Sequence, residues 1–345
     1  MKFQIERTAF ANAVKRASGV ISPRNTLPVL ACVHVSAADN TVSVQGSNMD
    51  EWITAKEEAA VSAPGSACIN AAQLGAWLGA APKGALVTCE IKDHRAVMTA
   101  GKATASFATL PSEDYPSVTA LRGGVELVGS IPAIVTAAPY ASDEPSRFYL
   151  QGVAISQGHA VATNGHILCA VDVSSPEGVA VIIPTQGVRQ IATTSPAARL
   201  WVGDHAWSCE DAGVTMGGKL IDGTFPEWTR IVPRNLDRVA VIDADALSEA
   251  VKQVVMAAED KARGVMLAGA DDQVTITCRG GAMDAAAVVE YEGKPFDIGM
   301  NSKYVQTAMA TFDGRVINMA VDSNMALLTC DAAPELRVVV MGMRL

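Results

Sequence analysis

Leu110-Pro111-Ser112-Glu113-Asp114-Tyr115-Pro116 closes one run of alternating apolar and polar residues, and Phe225-Pro226-Glu227-Trp228 closes another in the same character. Proline fixes φ and cannot donate to a strand ladder, so both stretches read as stops where a sheet ends. Tyr115 and Trp228 are 113 residues apart, and the same interval beyond Trp228 arrives at Met341, near the chain end. The period is too long for a solenoid, whose repeats run about 20–50 residues, and it suits a compact domain. It divides the chain into three units, 1–120, 121–234 and 235–345.

Each unit has the same order of elements. The first opens on a helix with Phe10, Val14 and Ala17 at helical spacing and Asn12, Lys15 and Arg16 on the other side, with Gly19 as its stop. The second opens with Ile131, Ile134, Val135 and Ala138 after Ser130 as cap, and Pro132 is tolerated in the first turn. The third has Leu247, Val251, Val254 and Val255 on one face, with Asp243 or Asp245 as cap. Period-2 strands follow, such as Val42-Ser43-Val44-Gln45, Val153-Ala154-Ile155-Ser156 and Val274-Thr275-Ile276-Thr277. A second short helix is predicted over 70–78, 184–192 and 302–312. Two helices on mostly antiparallel sheet, three times over, make an α+β architecture in which sheets can continue across the unit boundaries with the helices on one side.

Composition narrows the function. The chain has 345 residues, 49% of them apolar and 18% charged, which excludes extensive disorder. Aromatics are only 5%, so the cores are expected to be Ala, Val, Ile and Leu. With 27 basic and 36 acidic residues the net charge is −9. That excludes a coat of positive charge, but not basic groups gathered on one concave surface. No stretch approaches roughly 18 uninterrupted apolar residues, so no membrane partner is expected. Met1-Lys2-Phe3-Gln4-Ile5-Glu6-Arg7 lacks the order of a signal peptide. Cys32, Cys68, Cys89, Cys169, Cys209, Cys278 and Cys330 are odd in number and scattered, with no C-x-x-C pair. A reducing cytoplasm fits best, with neither zinc site nor disulfide framework.

Catalytic patterns are scarce. Gly217-Gly218-Lys219-Leu220 lacks phosphate-loop spacing, and neither G-x-S-x-G nor H-E-x-x-H occurs. His34, His94, His159, His166 and His205 stand singly and read as surface or satisfied polar residues. Asp271-Asp272 and Glu113-Asp114 read as solvated loop charge. Thr163-Asn164-Gly165-His166-Ile167-Leu168 places Asn-Gly between apolar runs, a type I′ hairpin signal. These features describe a binding protein and not an enzyme; no cofactor or metal is expected.

Several stretches together resemble the bacterial DNA polymerase III β subunit family, the replicative sliding clamps. Arg24-Asn25-Thr26-Leu27-Pro28-Val29-Leu30 is similar to R-x-T-L-P-[IV]-L, and Arg147-Phe148-Tyr149-Leu150-x-Gly152 to R-[YF]-Y-L-x-G. The 163–168 turn resembles T-D-G-H-R-L. Leu220-Ile221-Asp222-Gly223-Thr224-Phe225-Pro226-Glu227 resembles L-[VI]-[DE]-G-x-[FY]-P-[DE]. Arg263-Gly264-Val265, Ile298-Gly299-x-Asn301-x-x-Tyr304 and Val339-Val340-Met341-Gly342-Met343-Arg344-Leu345 resemble R-G-V, I-x-[FL]-N-x-x-Y and V-M-P-M-R-L. They fall in the family's order and run to the last residue.

The resemblance implies three tandem clamp-type domains per chain and a head-to-tail homodimeric ring around duplex DNA, with twelve helices lining the hole and a continuous sheet outside. A closed ring stays on DNA by linkage, so weak, sequence-independent phosphate contacts suffice. It further implies that Arg24, Phe148 and Tyr149 approach DNA, together with Lys15, Arg16, Arg189, Lys252 and Lys303. Thr185-Gln186 stand where many clamps are basic, so weak DNA attraction is expected in the second unit. Partners are the DNA polymerase III catalytic subunit, the clamp loader, other polymerases and repair factors, docking Q-L-x-[LM]-F-like peptides in an apolar cleft between the second and third units. By the same motifs its wall comprises Leu150, Thr163, Gly165, His166, Leu168, Pro226, Arg230, Ile231, Asn301, Tyr304, Val339, Met341, Met343 and Arg344. Met and Leu give such a cleft an adaptable floor; plain core is the competing reading of the terminal strand. The subunit interface is expected near Phe107 and near Met256 and Ala257.

Ile167 replaces the usual Arg of the turn, Ala262 a frequent aromatic, and Gly342 the terminal Pro, which implies altered rim charge and a more open cleft. A clamp paralogue carried by a phage, plasmid or resistance locus stays open as an alternative. An α+β metabolic enzyme is the rival from another class, and it lacks a base–nucleophile constellation.

Overall fold

The computed structural model of the chain describes all residues except 23–26, 119, 120, 122, 234–237, 258–263, 280–282, 323 and 345. Four of the α-helices among the described residues begin on a side-chain cap. Glu6 accepts from Ala9 N at 2.9 Å and opens α1 (Arg7–Ala17), which buries Phe10, Ala13, Val14 and Ala17 and exposes Lys15 and Arg16. The expected glycine stop is not used. Ser18 Oγ donates to Val14 O at 2.6 Å and the chain continues into a 3₁₀ turn, Ser18–Val20, so the last carbonyls are satisfied without left-handed backbone. Asn70 caps α2 (Ala71–Ala80) by accepting from Gln73 N at 3.0 Å. Pro132 sits second in α3 (Ile131–Ala137), and α4 spans Thr185–Ile191. Asp243 caps α5 (Ala244–Val254), accepting from Ala246 N at 2.8 Å, whereas Asp245 accepts from Gly314 N. Asn301 caps α6 (Ser302–Thr311) from Lys303 N at 2.9 Å.

The chain forms two compact bodies, Met1–Ile131 with Arg189–Leu220, and Pro132–Val188 with Ile221–Leu345. The first holds a 13-stranded sheet and the second a 12-stranded sheet among the described residues. Ladders in both join stretches far apart in sequence and cross the 113-residue divisions. Glu51–Glu58 pairs with Thr41–Ser47 on one edge and with Val214–Lys219 on the other. Ile167–Asp172 pairs with His159–Thr163 and with Leu336–Met341, setting Leu168 opposite Val339. Gly46 is required where the strand meets α1, since a Cβ there would lie 1.8 Å from Ala17 O.

Two-residue turns with both residues at positive φ occur at Asp39-Asn40, Asp93-His94 and Asp271-Asp272. The Asn164-Gly165 turn, expected to be of that type, is not. Only Gly165 is left-handed, at φ +91, and the Asn164 side chain accepts from His166 N at 2.9 Å and Ile167 N at 3.1 Å. The amide oxygen takes the place of a backbone acceptor, as in an Asx turn.

One buried group in the first body has no counterpart in the sequence reading. Glu51 is 4% exposed, and neither carboxylate oxygen has a hydrogen-bond partner among the described residues; the same holds for Trp207 Nε1. They flank Gly218, where an added Cβ would lie 2.9 Å from Glu51 Cγ and 3.0 Å from Trp207 Nε1. Burial, with the Asp50 charge beside it, pushes the Glu51 carboxyl up to about 7. Asp50 itself pairs with Lys219 at 2.8 Å.

Candidate functional site

The second body carries an apolar cluster that includes Leu168, Val339 and Met341, three of the residues expected to wall a cleft. Val161, Leu168, Ala170, Trp228 and Val339 form its buried part, and Phe225, Val232, Met325, Leu327 and Met341 lie partly exposed against it. The pairing of Ile167–Asp172 with Leu336–Met341 brings it together, and Met341 N donates to His166 O at 2.8 Å where the two strands end. The His166 ring stacks on Tyr304, with centroids 5.8 Å apart and an interplanar angle of 14°.

The turn beside the cluster is firmly built. Thr163 is buried; its hydroxyl donates to Ile167 O at 2.8 Å and accepts from Gly165 N at 3.1 Å. A side chain at Gly165 is disfavoured twice, by its φ and by Arg147 Nη1, 3.0 Å from where a Cβ would stand. Asn301 serves as the α6 cap. Met343 N donates to Gly299 O at 2.8 Å, and Gly342 bridges Met300. Leu150 is buried at the end of the Pro145–Leu150 turn. Pro226, Arg230 and Arg344 are exposed, with Arg230 bound to Glu227 at 2.7 Å, and Ile231 is 38% exposed. Of the fourteen residues expected to wall the cleft, Leu168, Val339 and Met341 belong to the apolar cluster and the others stand outside it.

Two of the sequence departures have a structural role of their own. Ile167 is 2% exposed and fills core. Gly342 N donates to Asn324 O at 2.7 Å, a bond proline could not make. Ala262 lies outside the described residues, as does Arg24. Trp228, Phe225, Met325 and Leu327 join the cluster although none was expected there. Phe225 and Trp228 were legible in the Phe225-Pro226-Glu227-Trp228 stop, whose aromatics must be buried somewhere.

Lys15 and Arg16 on α1, Arg189 on α4, Lys252 on α5 and Lys303 on α6 are exposed, and none is in an ion pair among the described residues. Phe148 is 50% exposed and meets Tyr149 edge-on at 5.7 Å. Both rest over Gly223, whose missing side chain makes the room. Phe107 is 8% exposed against Trp77, in a strand whose Ala103–Ala108 part is paired on one side only among the described residues. Asp284–Glu290 likewise pairs only with Gln273–Arg279 among the described residues. Met256 is 78% exposed; Ala257, expected beside it at an interface, is buried in its own body.

All seven cysteines are buried, and burial pushes the Cys68 and Cys89 thiols up to about 12, so they stay protonated at neutral pH. Among the described residues no helix is long and apolar enough to cross a membrane.

Residues 1–119 match the family model of the DNA polymerase III beta subunit N-terminal domain, and residues 229–344 match that of its C-terminal domain. The chain is 30% identical over 332 residues to the beta sliding clamp of Caulobacter vibrioides, covering 88% of this chain and 89% of that one. It is 27% identical to the beta sliding clamp of Escherichia coli K12 over the whole of both. A solved Caulobacter crescentus beta sliding clamp superposes with a TM-score of 0.91 at 27% identity, covering all of both chains. A Pseudomonas aeruginosa sliding clamp bound to griselimycin gives 0.91 at 25% identity, again over all of both.

Proposed function

The chain belongs to the DNA polymerase III beta subunit family, the beta sliding clamps, and we propose that two copies close head to tail into a ring that encircles duplex DNA and tethers its partners by short peptides. As a sliding clamp it is a non-catalytic processivity factor. The single observation that carries the reading is likeness along the whole length, with both chains fully covered at a TM-score of 0.91.

In this reading each copy has three domains, 1–120, 121–234 and 235–345, and acts in the cytoplasm. The open edges at Ala103–Ala108 and Asp284–Glu290 supply the two halves of the subunit interface, with Phe107 and Met256 beside them. Unpaired N–H and C=O groups on an exposed edge call for another strand, and pairing between copies satisfies them. Lys15, Arg16, Arg189, Lys252 and Lys303 face DNA with Arg24, Phe148 and Tyr149. The cleft around Leu168, Val339 and Met341 takes Q-L-x-[LM]-F-like segments of the catalytic polymerase subunit, the clamp loader, other polymerases and repair factors. The partly exposed Met325, Leu327 and Met341 over a packed floor support this, because such side chains adapt to several peptides.

Retention on DNA then comes from closure and not from adhesion. The ring is expected to bind short linear duplex feebly, and log K against log salt is expected to fall with a slope of magnitude below about 4, the value for some four phosphate contacts. Fluorescence anisotropy across a salt series measures it. Nanomolar affinity for linear duplex at physiological salt would contradict the reading.

A further inference from the structure

Glu51 stands at the end of the seam between Glu51–Glu58 and Val214–Lys219, a ladder that runs from Ala55 opposite Val214 to Glu51 opposite Gly218. One residue further out, Asp50 and Lys219 are exposed, and Lys219 N donates to Asp50 O at 2.9 Å to close the end. The buried carboxyl is therefore one backbone pair away from water. Trp207, Gly218 and Glu51 lie in a row across three strands. With no side chain on Gly218 to fill the middle, the two outer side chains lean over it. There the indole N–H and both carboxyl oxygens have no partner among the described residues.

Among the described residues nothing packed around this carboxyl holds it ionised. Thr41–Ser47 brings Ser47, whose hydroxyl donates to the Glu51 backbone oxygen at 3.1 Å. Val214–Lys219 brings Gly218 and Lys219, and Lys219 Nζ is paired with Asp50 at 2.8 Å. Ala206–Asp211 brings Trp207. On α1, which packs over the same strand, Lys15 and Arg16 are exposed. The charge that acts on Glu51 is that of Asp50, and it opposes ionisation. A buried carboxylate without donor or cation is costly, and a neutral carboxyl much less so. The end of the seam also resists least. Met49, 59% exposed, is held at φ +77, a left-handed backbone that methionine seldom adopts.

We propose that Glu51 is a proton-operated latch on this seam: the strand end stays closed while the carboxyl holds its proton, and frays open when the proton leaves for solvent. Fraying frees Asp50 and Glu51 from Gly218 and Lys219, hydrates the carboxylate and relaxes Met49. Ile53 and Ala55 stay paired with Met216 and Val214. A general loss of stability would instead weaken every ladder of the body alike. In the three-domain reading given above the seam joins the first domain to the second; the latch itself does not depend on that reading.

The test is hydrogen–deuterium exchange of the full-length protein between about pH 5 and pH 8, corrected for the intrinsic pH dependence of amide exchange. The Glu51 and Lys219 amides are read against those of Leu86–Lys92 and Arg95–Ala100, a ladder of the same body. Burial and Asp50 put the closed carboxyl at about 7 against an ordinary 4.5, which sets a ceiling of about 70-fold on the rise in opening over this range. A rise of about ten-fold or more is expected at the seam, most of it below pH 7, with the reference ladder unchanged. Glu51→Gln keeps the shape and cannot ionise, and its seam is expected to exchange independently of pH. A flat wild-type seam, an equal rise in the reference ladder, or a rise surviving in Glu51→Gln overturns the proposal. A flat seam with a Trp207 indole proton resonance that moves with pH overturns it too, because the carboxylate then takes that N–H in place.

Discussion

Deleting Met343, Arg344 and Leu345 is expected to weaken partner-peptide binding by about 100-fold or more while leaving a folded dimer. The size follows from removing one adaptable thioether and one guanidinium from the wall of the proposed cleft, where losses of about 2 kcal/mol or more per anchor residue are usual. The fold is expected to survive because the cut falls beyond the last ladder. Leu336–Met341 keeps its pairing with Ile167–Asp172 and with Met325–Thr329, and Gly342 keeps its bond to Asn324. Among the described residues the backbone bond given up is that of Met343 N to Gly299 O, worth about 1 kcal/mol net. Peptide titration read beside a thermal melt checks both halves. Undiminished peptide affinity in a folded variant would reject the cleft assignment.

Replacing Glu51 with Gln is expected to stabilise the first body at pH 8 and to leave it nearly unchanged at pH 5. The sign follows from the folded carboxyl titrating at about 7 against an ordinary value of 4.5. Stability is fully present below the unfolded value and is lost as pH rises through the folded one, because ionisation inside the fold is opposed by burial and by Asp50. The window is therefore about pH 4.5 to 7, and the loss is at most about 3 kcal/mol, lessened by relaxation and water entry. Trp52, Trp77, Trp201 and Trp207 all lie in the first body, so tryptophan fluorescence during urea unfolding reports mainly on it. A wild-type minus variant difference that stays constant from pH 5 to pH 8 would contradict the account.

Local structure was legible wherever it depends on neighbours in the chain. The stripes of α1 and α5 stand where Phe10, Val14, Leu247 and Val251 repeat, since a helix face is written at spacings of three and four. The exit of α1 was misread because Ser18, and not Gly19, satisfies its carbonyls. The 163–168 turn was misread because the Asn164 side chain competes with the backbone. Sheet partners were not legible, since nothing local in Glu51–Glu58 announces Val214–Lys219 as its neighbour. For the same reason Glu51 escaped notice. Ser47-Asn48-Met49-Asp50-Glu51 reads as a solvated turn, and only the packing around Gly218 encloses the acid.

The candidate cleft divides along the same line. Leu168, Val339 and Met341 follow from motifs that are short and contiguous. Trp228 enters it through packing, and His159 looked like an isolated surface histidine until strands brought Asp172 to it.

Everything proposed for DNA retention depends on two copies making one closed particle. The native mass of the full chain at micromolar concentration tests that directly. A particle of twice the 35.9 kDa chain, persisting on dilution through that range, is the predicted result, and a single 35.9 kDa species throughout would contradict it.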